Sequence, residues 1–131
     1  MIFKKLFGSK GNEKILKSFL ESILDITIES LTVDLSTEIL PDFYDGKLSR
    51  LDVITRLEDK TIVNIEIQTN MKDFTDKRQL AYWSKLYLNQ FKKGDNYKKA
   101  DKAICIWILD GKVYDFPEYH SKWKITEDIN R

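Results

Sequence analysis

Two runs of strand-forming residues, Arg50 to Leu57 and Thr61 to Thr69, are separated only by Glu58-Asp59-Lys60. A polar interval that short joins neighbouring antiparallel strands, and its length decides which residues face one another. With a three-residue loop the pairing is symmetric about Asp59. Asp52 then lies across from Glu66, Arg50 from Gln68 and Ile54 from Asn64. Side chains alternate along a strand, so Asn64, Glu66 and Gln68 share one face while Leu51, Val53, Val63, Ile65 and Ile67 form an apolar back. A slip of one residue would send the two carboxylates to opposite faces.

Facing carboxylates are expensive. At ~5 Å and an effective dielectric of about 20 they repel by roughly 3 kcal/mol, more than a cross-strand pair normally returns. A bound Mg²⁺ or Mn²⁺, both of which prefer oxygen ligands, offsets that repulsion, and Arg50 adds positive charge beside it. The plain alternative is that both side chains splay into water, the commoner outcome for an arbitrary hairpin.

The rest of the chain supplies layers for this hairpin. Asn12 is placed to cap a helix of about three turns in which Ile15, Leu16, Phe19, Leu20, Ile23 and Leu24 recur on one face. Leu31, Val33 and Leu35 alternate with polar residues as a half-buried strand. Pro41-Asp42-Phe43-Tyr44-Asp45-Gly46 is turn chemistry. Thr75 or Asp76 caps a long helix carrying Leu80, Trp83, Leu86, Tyr87 and Phe91, with Gly94 where it stops. Ala103 to Leu109 is apolar throughout and reads as a central strand buried on both faces, with Trp107 and Cys105 in the core. A last strand is expected around Ser121 to Ile125. Helices and strands in this order make an α/β domain.

A chain of 131 residues fits one domain spanning 1–131. The single cysteine rules out an internal disulfide and, with no Cys or His partner at ligand spacing, a zinc site. No apolar run is long enough for a signal peptide or a membrane span, so a cytoplasmic protein with no membrane partner is expected. A net charge of +1 excludes a general polycation, leaving any pull toward DNA to local clusters. These are Lys4, Lys5, Lys10, Lys14 and Lys17, and then Lys92, Lys93, Lys98, Lys99 and Lys102; most such lysines simply aid solubility.

Asp52, followed on the next strand by Glu66-Ile67-Gln68, resembles the D…(E/D)-x-K signature of the PD-(D/E)XK nucleases. Several further blocks narrow the likeness: Phe3-Lys4-Lys5-Leu6-Phe7-Gly8-Ser9, Ser18-Phe19-Leu20, Arg50-Leu51-Asp52-Val53, Asn64-Ile65-Glu66-Ile67-Gln68, Tyr82-Trp83-Ser84-Lys85-Leu86-Tyr87 and Lys93-Gly94-Asp95-Asn96-Tyr97. Together they are similar to the Rpn-type recombination-promoting nucleases, also described as PD-(D/E)XK nuclease family transposases. The likeness runs from Phe3 to about Leu109. It implies a restriction-endonuclease-like αβββαβ core, a mixed central sheet flanked by helices. It also implies a metal-dependent DNA endonuclease with little sequence preference that promotes recombination or transposition.

On that resemblance Asp52 and Glu66 are the metal ligands, the carbonyl of Ile67 is a third, and Gln68 takes the place of the usual lysine. Gln68 can orient water but cannot titrate near neutral pH. The expected cofactor is Mg²⁺ or Mn²⁺, and the expected partner is DNA. Arg50, Arg78, Tyr82, Lys92, Lys93, Lys98 and Lys99 are the expected DNA contacts, the lysine-rich segment near the active-site edge. Arg78 in a surface ion pair and Tyr82 in the core are an equal alternative for those two. Pro41-Asp42 spells the literal motif but falls in a turn. Glu21 is a weak auxiliary-ligand candidate, and His120 reads as a surface residue. The family's C-terminal extension is expected to be absent, and a homo-oligomer is left open. The rival function is a non-catalytic DNA-binding or interaction domain retaining the nuclease fold; RNA is a weaker substrate alternative.

Overall fold

A computed structural model describes residues 11–34 and 53–125. Helix α1, Glu13–Leu24, presents Leu16 and Leu20 inward, four apart on one stripe and fully buried. Asn12 occupies its N-cap but makes no side-chain capping bond; its carbonyl accepts from the Ile15 and Leu16 N–H groups at 3.1 and 3.2 Å. Asp25, left-handed at φ 53°, closes the helix. Strand β1, Leu31–Asp34, runs antiparallel to β2, Val53–Leu57, with Val33 across from Thr55.

The hairpin between β2 and β3, Ile62–Gln68, has the expected three-residue loop. Lys60 donates to the Leu57 carbonyl and Leu57 to that of Thr61, both at 3.0 Å. Lys60 takes the left-handed conformation, φ 72°, that such a loop requires at its end. Asp59 Oδ1 accepts from the Thr61 N–H at 2.9 Å, and Glu58 leaves the loop to accept from the Glu29 and Ser30 N–H groups. The register is the one symmetric about Asp59, with Ile54 opposite Asn64 and Val53 opposite Ile65.

After β3, Thr75 caps helix α2, Asp76–Leu88, its hydroxyl accepting from the Arg78 N–H at 3.0 Å. The helix is the crossover that lets β4, Ala103–Leu109, run parallel to β3. The sheet order is β1-β2-β3-β4. On one face Leu16, Leu20 and Ile28 pack against Val53, Leu57, Val63, Ile65 and Ile106. On the other, Tyr82 and Leu86 of α2 pack against Ile54, Ile62, Ala103, Cys105 and Trp107. This is an α/β, αβββαβ arrangement, a mixed four-stranded sheet with a helix on either side. No helix among the described residues is long and apolar enough to cross a membrane.

Three expectations are corrected. Helix α2 ends at Leu88, so Phe91 lies beyond it; the side chain of Gln90 instead binds the backbone of Asp101 through both its amide atoms, pulling the chain toward β4. β4 is an edge strand of the described sheet, and only Ile106 in it is fully buried, the rest being half-buried. No strand forms over 121–125, where Trp123 and Ile125 are exposed. The strand expected from Arg50 is described from Val53 onward, and the turn at Pro41-Asp42 lies outside the described residues.

Candidate active site

The polar side chains of β3 face α2. Asn64 and Glu66 are both buried, at 0 % and 6 % exposure, and Asn64 Nδ2 donates to Glu66 Oε1 at 3.0 Å. A buried carboxylate is costly unless it is hydrogen-bonded and balanced by positive charge. Asn64 supplies one such bond, while its own Oδ1 is buried without a partner among the described residues. Gln68, at the end of the strand, is half-buried and donates from Nε2 to the Asn70 carbonyl at 2.8 Å.

Opposite these groups stands an aromatic wall. Trp107, level with Glu66 in the β3–β4 register, meets Tyr82 and Phe74 edge-on, at centroid distances of 4.9 and 5.2 Å. Arg78, one turn before Tyr82, lies with its guanidinium carbon 5.2 Å from the Tyr82 ring centre and donates from Nη2 to the hydroxyl at 3.2 Å. Buried Arg78 Nε and Trp107 Nε1 lack partners among the described residues. Arg78 makes no ion pair with the described residues. Tyr82, 5 % exposed, is core, and its hydroxyl accepts from Arg78.

The other sequence candidates are more scattered. Asp52 and Arg50 lie outside the described residues, as do Lys4, Lys5 and Lys10. Lys92, Lys93, Lys98 and Lys99 are exposed, but they precede β4 at the end of the sheet where Ile62 begins β3. Glu66 is four residues further along, about 13 Å away. The lysine segment therefore leads into the β3–β4 pair at its Ile62–Ala103 end, four residues before Glu66. Glu21 Oε2 accepts from the Ile28 N–H at 3.0 Å and ties α1 to the start of β1. His120 is exposed.

Lys85 was missed. It is 3 % exposed on α2, and burial lowers its pKa. Trp83 and Gln90 on one flank of the helix reach Ala103 and Asp101 at the β4 side. Lys85 lies on the opposite flank with Arg78, two turns away. The spacing Arg78, Tyr82, Lys85 was the signal that could have marked it.

The donor chemistry suits a hard divalent cation, since Glu66 and Asn64 offer oxygens on one face and the Ile67 carbonyl follows directly. Among the described residues no group of three or more His, Cys, Asp or Glu could hold a metal. Residues 1–131 match the family model described as PD-(D/E)XK nuclease family transposase. No curated protein and no solved structure matches the chain.

Proposed function

Because the chain belongs to the PD-(D/E)XK nuclease family transposases, we propose that it is a divalent-metal-dependent DNA endonuclease, cutting phosphodiester bonds with little sequence preference and so promoting recombination or transposition. Residues 1–131 act as one cytoplasmic domain in this reading. The observation that carries it is the hairpin register: Ile54 pairs with Asn64 and Val53 with Ile65, and continuing it by one row would set Asp52 opposite the buried Glu66.

Asp52, Glu66 and the Ile67 carbonyl would hold Mg²⁺ or Mn²⁺. When bound, the ion would lower the pKa of a ligated water and neutralise the attacked phosphate. Asn64 keeps the Glu66 carboxylate in one orientation through its amide. Gln68, neutral and half-buried, orients water without taking its proton. Arg78, backed by Tyr82, presents its guanidinium to a substrate phosphate, and Arg50 adds positive charge at the β2 edge.

Purified protein should nick supercoiled plasmid in Mg²⁺ or Mn²⁺, stop when EDTA is added, and lose the activity in Glu66→Gln. DNA binding with no cleavage in either metal would overturn this reading in favour of a non-catalytic DNA-binding domain. Cleavage of RNA but not DNA would overturn the substrate assignment.

A further inference from the structure

The segment between α2 and β4 carries an organisation that the nuclease chemistry does not use. From Lys92 to Lys102 it holds five lysines against two aspartates. All five lysines are exposed, and none forms an ion pair among the described residues. Asp95 Oδ2 accepts from the Lys92 N–H at 2.8 Å, so that carboxylate is engaged in shaping the turn. Gly94, at φ +89°, supplies the left-handed step in the turn that a side chain would strain. Asn96 then accepts from the Lys98 N–H at 3.0 Å and starts the 3-10 turn Tyr97–Lys99.

Tyr97 stands at the start of that turn, 78 % exposed. Its ring is supported by an edge contact with Phe91 at 5.3 Å. Phe91 in turn meets Tyr87 at 5.6 Å, and Tyr87 stacks on Trp83 at 5.1 Å. A row of four aromatic rings therefore runs from the body of α2 to an exposed tyrosine flanked in sequence by Lys92, Lys93, Lys98 and Lys99. A supported, exposed ring set among exposed lysines suits a polymer of alternating flat bases and phosphates, because bases stack on the ring while phosphates meet the ammonium groups. In a closed duplex the base faces are already occupied by their neighbours, so the ring is available only to unpaired nucleotides.

Resting on the reading of the chain as one that acts on DNA, we propose that Tyr97, with Lys92, Lys93, Lys98 and Lys99, forms a binding site for unpaired nucleotides, separate from the Glu66 site. The site would hold a single-stranded flank or an opened end while the strand is cut elsewhere.

The test is fluorescence anisotropy in EDTA, where no cutting occurs, with a labelled oligo-dT and a blunt duplex of equal length. Tyr97→Ala should weaken oligo-dT binding roughly 5- to 150-fold and duplex binding less than twofold, with an unchanged melting temperature. Tyr97→Phe, which keeps the ring, should bind like wild type. Replacing the four lysines by Gln should weaken both ligands and flatten the salt dependence. Unchanged oligo-dT binding in Tyr97→Ala, or equal losses for both ligands, would overturn the proposal. Because the assay contains no metal, its failure leaves the nuclease reading standing, and a failure to nick plasmid leaves this one standing.

Discussion

The side-chain amide of Asn64 donates to Oε1 of Glu66 at 3.0 Å, two residues along the same strand and buried beneath α2. A hydrogen bond to a charged group in such a place contributes more than one at the surface, and losing it leaves the carboxylate short of a donor. Asn64→Ala should therefore cost about 2 kcal/mol in urea unfolding and reduce plasmid nicking, because Glu66 is no longer held in one orientation. Unaltered stability would mean that the bond is not maintained in solution.

Glu58 gives a pH prediction. The backbone N–H groups of Glu29 and Ser30, Glu29 first, hold its carboxyl below the ordinary value of 4.5. A carboxyl whose folded pKa is depressed contributes stability that is present above its unfolded pKa and lost as pH falls through the folded one. Glu58→Gln should thus be less stable than wild type at neutral pH, and the two should converge below the carboxylate range. A difference in melting temperature that stays constant from pH 7 to about pH 3 would contradict the assignment.

Cys105 gives a chemical one. Burial, the larger influence, pushes its thiol up to about 12, with the charge of Glu66 adding to the rise and Asn64 opposing it. At pH 8 only about one thiol in ten thousand would then be ionised, so the native protein should resist iodoacetamide and react promptly in urea. Native labelling as fast as in urea would show that β4 is not packed against α2.

Where the sequence was read correctly, the residues carried short-range instructions. Glu58-Asp59-Lys60 left room for one kind of loop, and the alternation of Val63, Ile65 and Ile67 with Asn64, Glu66 and Gln68 left one register that buries the apolar set. The family, too, could be recognised from ordered blocks along the chain. The rest depended on distant partners. Phe91 continues the spacing of Tyr87, so nothing local announced that Gln90 would bind Asp101 and end the helix at Leu88. The apolar run from Ala103 to Leu109 signals burial but not strand order, and β4 proved an edge of the described sheet. Lysines at 92 to 99 resemble DNA contacts wherever the fold puts them, and the parallel register sets Ala103, the strand start they lead into, at the far end of β3 from Gln68. Lys85 was hidden because lysine is so seldom fully buried.

The central claim is that Glu66 and Asp52 share one cation, and a thermal scan with and without Mn²⁺ tests it most directly. At a hundred times the dissociation constant the ion should stabilise the wild type by about 2.7 kcal/mol, a readily resolved rise in melting temperature for a domain of this size. Asp52→Ala and Glu66→Ala should each lose that rise, and Asp52→Ala without metal should be as stable as wild type or more so, since a facing negative charge has gone. Equal Mn²⁺-induced shifts in the wild type and both variants would contradict the account, placing the metal somewhere other than these two carboxylates.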